Sequence, residues 1–194
     1  MISVRFHGRG GQGAVIASKL LATALFKEGW QVQAFPSFGA ERTGAPVAAF
    51  LRADAKPVTA HYQVYEPDHV IVLDPVLLQA IDVKAGLVDG GWILVNTGRP
   101  PEELDLPGPF NVGTVDATAI ALANGLGTRT NPIVNTAIIG AFAALTKIVK
   151  LESVVEAIPD LVPIKPEANQ AAAREAFAQA LARTSGTPGG REAR

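Results

Sequence analysis

Residues 2–35 read ISVRFHGRGGQGAVIASKLLATALFKEGWQVQAF, and this stretch decides the fold. Ile2–Phe6 has the composition of a short strand. The glycine cluster Gly8-Arg9-Gly10-Gly11-Gln12-Gly13 follows it. From Val15 the pattern turns helical: Ile16, Leu20 and Ala24 fall four apart, as do Leu21 and Leu25, while Lys19, Thr23 and Lys27 mark a polar side. Gly29 is placed to end that helix, and Trp30–Phe35 reads as a second strand. Strand, glycine turn, helix and strand in this order open many α/β domains.

Beyond Phe35 the rhythm changes. SFGAERTGA (37–45) is too short for a crossover helix before the strand-like Pro46–Leu51. Strands two and three are therefore expected to pair antiparallel or lie at a sheet edge, in a mixed sheet. Val70–Leu73 and Trp92–Val95 are continuous apolar runs suited to central strands, ending at Asp74 and Asn96, with a helix expected between them over Val76–Ala85. Arg99–Pro109 reads as a loop and Asn111–Val115 as a further strand, and Asp116 is a good N-cap for a helix over Ala117–Asn124. A turn at Gly125–Pro132 precedes the helix Ile133–Val149, apolar almost all round. Such a helix is either deeply buried or packed on another subunit, and oligomeric contact is expected from it. A short amphipathic helix (Glu152–Ile158) and a last helix (Glu167–Arg183) follow, then a tail over 184–194 expected to be disordered. The expected fold class is α/β: one three-layer domain over residues 1–183, its mixed sheet mostly parallel, with a glycine-rich loop after strand one.

Composition narrows the function classes. The 194 residues suffice for one domain with a proper core. Lys+Arg 17 against Asp+Glu 18 leaves a net charge of -1 without a basic block, which disfavours nucleic-acid binding. With no cysteine, the chain has no disulfide, no thiolate metal or cluster site and no thiol nucleophile. His7, His61 and His69 are not at metal-ligand spacing. MISVRF lacks the character of a signal peptide. The longest charge-free run, Thr130–Thr146, is shorter than the ~20 residues of a spanning helix. A soluble cytoplasmic protein without membrane contact is expected.

Gly8, Gly10 and Gly13 satisfy G-x-G-x-x-G between a strand and a helix, the context in which backbone N–H groups and a helix N-terminus cradle an anion. Arg9 offers a direct charge. A tight turn with no ligand is the plainer reading. The second strand carries no acidic residue at its end to hold a ribose, which argues against a nicotinamide dinucleotide. The loop Ser37–Gly44 is the second candidate; its Glu41 and Arg42 can pair with each other or reach a substrate or partner chain. Asp74 and Asn96 would face the same edge and read more readily as strand-end or cap residues than as catalysts. An anion cradle without catalytic machinery suggests a component rather than a complete enzyme.

The run HGRGGQGAVIASKLLATALFKEGWQVQAFPSFGAERTGAPVAAFLR (7–52) resembles the start of the gamma subunit of 2-oxoacid:ferredoxin oxidoreductases. Val70–Pro75, Asp116-Ala117-Thr118, Asn135–Phe142 and Lys165-x-Glu167-x-Asn169 extend the resemblance to about residues 2–180. Thr43 departs from it, since the family commonly has Arg after Glu-Arg. The resemblance implies an enzyme that decarboxylates a 2-oxoacid oxidatively on thiamine diphosphate, passes the acyl group to coenzyme A, and sends electrons through iron–sulfur clusters to ferredoxin or another acceptor. The chain has no cysteine and no Gly-Asp-Gly thiamine signature, so the resemblance places thiamine diphosphate, Mg and the clusters on alpha-, beta- and ferredoxin-like delta-type partners. This chain would supply assembly surface and part of the coenzyme A site. The residues expected at that site are Gly8, Arg9, Gly10, Gly11, Gln12 and Gly13, with Ser37, Gly39, Glu41, Arg42 and Thr43 of the second loop and Asn135; no catalytic or metal-binding residue is expected. The rival readings are a self-standing nucleotide-binding protein, either dehydrogenase or regulator, and a purely structural subunit.

Overall fold

Strand β1 (Ile2–Arg9) runs through the middle of a six-stranded sheet in the order β2-β3-β1-β4-β5-β6, in a computed structural model that describes residues 1–37, 44–59 and 62–185. The others are β2 (Gln31–Pro36), β3 (Pro46–Asp54), β4 (His69–Val72), β5 (Trp92–Asn96) and β6 (Asn111–Val115). β1, β4, β5 and β6 are parallel, and β3 is antiparallel to both β1 and β2. The expected mixed, mostly parallel sheet is therefore present. β1 is longer than its apolar run because its pairing with β3 continues to Gly8↔Val47 and Arg9↔Pro46. Gly8 and Arg9 thus belong to the strand, and the turn itself is Gly10–Gly13.

Alternation along the strands divides the core. Val4, Phe6, Ile71 and Leu94 face a layer made by α1 (Ala14–Lys27), α3 (Ala117–Ala123), α4 (Asn135–Thr146), α5 (Leu151–Leu161) and α6 (Pro166–Ser185). Val70, Val72, Ile93 and Val95 face a thinner layer containing Leu77 of α2 (Leu77–Ala80), Val83 and Leu104. The central strands are apolar on both sides because both sides are covered.

α1 buries Ala17, Leu20, Leu21, Ala24 and Leu25 completely, the side opposite Lys19 and Thr23. α4 is buried from Asn135 to Leu145, and its cover comes from α6, α1, α5 and the sheet of the same chain. No second subunit is needed to cover that helix, so the oligomeric contact inferred from it loses its ground. Gly140 lets α6 approach so closely that an added Cβ would overlap the backbone of Ala173. Asp116 caps α3 as expected, its Oδ1 accepting from the Ala119 N–H at 2.8 Å.

The helix expected over Val76–Ala85 is reduced to Leu77–Ala80, and Ile81 is already extended. The cause is tertiary: Arg5 Nη2 donates to the carbonyls of Val83 (3.0 Å) and Ala85 (2.6 Å), which a continuing helix would have pointed elsewhere. Residues 127–132 are a miniature hairpin, β7 (Gly127–Thr128) and β8 (Asn131–Pro132), inside the expected turn. Residues 186–194 of the expected tail lie outside the described residues.

Candidate functional site

β1 and β4 are parallel neighbours whose following helices depart to opposite faces, α1 into one core and Leu77 of α2 into the other. In an open α/β sheet that divergence leaves a crevice at the carboxyl ends of the two strands. The glycine turn forms one wall of it. Gly11 (φ +93°) and Gly13 (φ +82°) take left-handed backbone that only glycine adopts without strain. Gly8 serves differently: an added Cβ would stand 3.1 Å from that of Ala14, so its absence lets strand and helix meet. Gly13 is the N-cap of α1 and offers no side chain, and no acidic residue occupies the first turn. The first N–H groups of a 14-residue helix are thus left without a side-chain acceptor.

Side chains lock the turn to β4. The Arg9 N–H donates to Gln12 Oε1 at 2.8 Å, the Gln12 N–H donates to the Arg9 carbonyl at 2.9 Å, and Gln12 Nε2 donates to Asp74 Oδ2 at 2.8 Å. Arg9 Nε stands 3.1 Å from the same carboxylate oxygen without the direction of a hydrogen bond. Asp74 Oδ1 accepts from the Val76 N–H at 3.0 Å. Alongside, Asn96 Nδ2 donates to the Leu73 carbonyl (2.9 Å) and to Thr118 Oγ1 (3.1 Å), while its Oδ1 accepts from the Thr118 N–H. Asp74 and Asn96 are therefore strand-end clamps, as their positions in sequence suggested.

A smaller and a larger cleft adjoin Gln12 of the turn. The smaller, of about 190 Å³, lies among Gln12, Asp74, Asn96, Thr118 and the hairpin residues Thr130–Pro132. The larger, of about 650 Å³, lies between Gly11–Gly13 and Ile16 on one side, the hairpin on another and Leu161–Lys165 on a third. Asn135 lines it and packs against Gly13, where an added Cβ would stand 3.1 Å from Asn135 Nδ2. Gly11, Gln12, Gly13 and Asn135 are thus brought together in one cleft. Ser37 follows β2 at the same sheet edge but lines neither cleft; its N–H donates to the Ala48 carbonyl and its Oγ accepts from Gln63 Nε2. Gly39, Glu41, Arg42 and Thr43 lie outside the described residues, as does His61.

The hairpin, Thr118 and the Leu161–Ile164 wall were not recognised as site residues. The only sequence signal for the hairpin was the pair Gly125 and Gly127, both left-handed in the structure. Lys165 Nζ donates to the Gly125 carbonyl at 2.8 Å, tying the two walls of the larger cleft together.

His7 does not join the site. It is buried on β1, where Arg5 Nε donates to its Nε2 at 3.0 Å, and burial, reinforced by the Arg5 charge, lowers its pKa to about 4. His69 is lowered as well, by burial, with Asp68 opposing. The arrangement can hold an anion at a helix N-terminus. Among the described residues it has no general acid and base facing a common point, and no three His, Asp or Glu gather as metal ligands. Among them also, no helix is long and apolar enough to cross a membrane.

Residues 3–179 match the family model described as pyruvate ferredoxin/flavodoxin oxidoreductase. The chain is 56% identical over 181 residues to the pyruvate/ketoisovalerate oxidoreductases common subunit gamma of Thermococcus kodakarensis, covering 91% of this chain and 96% of that protein. It is 48% identical over 178 residues to the pyruvate synthase subunit PorC of Methanothermobacter thermautotrophicus, covering 91% and 94%. Among solved structures it is similar to the pyruvate oxidoreductase subunit PORC of Thermotoga maritima, with a TM-score of 0.76 at 39% identity over 91% of this chain and 95% of that one.

Proposed function

The chain belongs to the pyruvate ferredoxin/flavodoxin oxidoreductase family as a gamma-type subunit of a multi-subunit 2-oxoacid oxidoreductase, and on that premise we propose that its glycine turn forms part of the coenzyme A site of the assembled enzyme. The observation that carries this reading is the turn itself. An α-helix N-terminus with no side-chain cap opens onto a cleft of about 650 Å³. Arg9, just before that turn, lines neither cleft, and its terminal nitrogens make no hydrogen bond to any described residue. Coenzyme A presents phosphates, and such a helix end favours them. The aliphatic wall of Ile16, Leu161 and Ile164 suits the less polar arm of the same molecule.

The remaining chemistry belongs to other chains in this reading. Thiamine diphosphate, Mg and iron–sulfur clusters sit on alpha-, beta- and ferredoxin-like delta-type subunits, since this sequence has no cysteine to bind a cluster and no thiamine signature. The choice of 2-oxoacid is also made there: a 56% identical relative is named as common to pyruvate and ketoisovalerate oxidoreductases, which fits a subunit that serves more than one substrate. The assembly is cytoplasmic. A self-standing dinucleotide-binding protein is the reading set aside; the absence of an acidic residue at the end of β2 agrees with that.

Two experiments test the proposal. Tagged chain purified from its native cell without oxygen should bring thiamine- and cluster-bearing proteins with it, and the eluate should reduce a viologen dye with a 2-oxoacid only when coenzyme A is present. In that complex, Arg9→Glu should raise the KM for coenzyme A while assembly is kept; an unchanged KM would overturn the assignment of the turn.

A further inference from the structure

We propose that Asp74, at the end of the neighbouring parallel strand, is the positioning residue that sets the glycine turn for its anion; this rests on the reading of that turn as part of the coenzyme A site. The carboxylate meets donors only. Oδ2 accepts from Gln12 Nε2 at 2.8 Å and faces Arg9 Nε at 3.1 Å, and Oδ1 accepts from the Val76 N–H at 3.0 Å. An acid at this point is satisfied on every side, whereas an amide of the same shape would turn its NH2 against one of three N–H donors.

The contacts form a closed circuit through the turn. Asp74 holds the Gln12 amide; that amide's oxygen accepts the Arg9 N–H; the Arg9 carbonyl accepts the Gln12 N–H. The Gln12 side chain thereby has its flip fixed, because Oε1 must face Arg9 and Nε2 must face Asp74. Asp74 also pairs with Arg9, whose Nε stands 3.1 Å from Oδ2 without the direction of a hydrogen bond. The two terminal nitrogens of the guanidinium make no hydrogen bond to a described residue. A guanidinium drawn to Asp74 and without a partner for its fork among the described residues can meet a phosphate there. Its side chain is 35% exposed and that of Asp74 is 15% exposed, so the arginine can be reached from solvent while the acid that orients it stays behind.

The role predicts a specific kinetic pattern in the assembled enzyme. Asp74→Asn should raise the KM for coenzyme A roughly tenfold, with kcat for dye reduction at saturating coenzyme A little changed, because only the positioning of a binding group is lost. Arg9→Gln should raise the same KM, and the double variant should be little worse than Arg9→Gln alone, since Asp74 acts through Arg9 and its turn. Gln12→Met, which breaks the same circuit from its other side, should reproduce the Asp74→Asn effect and serves if that variant does not assemble. A normal KM in Asp74→Asn and Gln12→Met, with a raised KM in Arg9→Gln, would overturn the positioning role and leave the coenzyme A reading standing. Additive effects in the double variant would also overturn it. A normal KM in all the variants would remove the coenzyme A reading and this proposal with it.

Discussion

Arg5 Nε donates a 3.0 Å hydrogen bond to Nε2 of His7, two residues further along the same face of β1. The imidazole is thereby held as an acceptor, neutral, with its proton on Nδ1. The guanidinium is completed by the Val83 and Ala85 carbonyls. A buried cation and a buried base are satisfied by each other and by a loop that would otherwise have been helix.

This arrangement sets a pH dependence. His7 has its pKa lowered to about 4 by burial first and the Arg5 charge second, so the unfolded chain binds its proton more readily than the folded one. The His7 contribution is therefore complete above the ordinary histidine pKa of about 6.5 and is lost progressively as pH falls toward about 4. His7→Gln keeps an acceptor for Arg5 and cannot be protonated. Denaturant unfolding at pH 7 and at pH 4 should show the native sequence losing on the order of 3 kcal/mol more than the variant. Equal losses would show that His7 is not held neutral.

Gly13 combines a left-handed φ of +82° with a close neighbour, whereas Gly11 has φ +93° and open space. Gly11→Ala should cost only the backbone strain, about 1–2 kcal/mol. Gly13→Ala should cost more, because its Cβ would stand 3.1 Å from Asn135 Nδ2. The difference between the two melting temperatures reads out the contact with Asn135, and an equal drop would show that Asn135 gives way freely.

Gly140 has no room for a side chain against the Ala173 backbone. Gly140→Ala gains helix propensity, yet it should destabilise by about 1–3 kcal/mol because α4 and α6 must separate. For a chain of this size that is a fall of roughly 2–4 °C per kcal/mol in Tm. A variant more stable than the parent would mean that the α4–α6 crossing relaxes without cost.

Asn96 is 6% exposed and joins the end of β4 to the start of α3 through Leu73 and Thr118. Asn96→Ala should lose about 1–3 kcal/mol, since it leaves buried partners unmet. Asn96→Asp should be worse at pH 7, where a carboxylate would face the Leu73 carbonyl. Unfolding midpoints of the two variants, compared at neutral pH, decide the order.

Much of the fold was legible because it is written locally. β4 and β5 were found from apolar runs with no polar break, and the antiparallel place of β3 followed from a connection too short for a helix. The Asp116 cap needed only its own side chain and the N–H three residues on. Of the candidate site, Gly11, Gln12, Gly13 and Asn135 do meet in one cleft. Ser37 does not reach it, because its hydroxyl is taken up by Gln63 on the far side of β1.

The amino-acid sequence alone determined the class of sheet, the glycine turn that leads into α1, and, through its lack of cysteine, that any iron–sulfur cluster must be held elsewhere. Those conclusions depend on backbone preference, hydrophobic period and the presence or absence of an atom type, all properties of neighbouring residues or of composition. Tertiary structure alone decided that α4 is covered by its own chain, that Val76–Ala85 stops being helix after Ala80, and that Asp74 clamps Arg9 and Gln12. Each of these is fixed by a partner distant in sequence: 62 residues separate Gln12 from Asp74, and 78 separate Arg5 from Val83. Contacts at that range come from the packing of whole elements, which a local pattern does not contain.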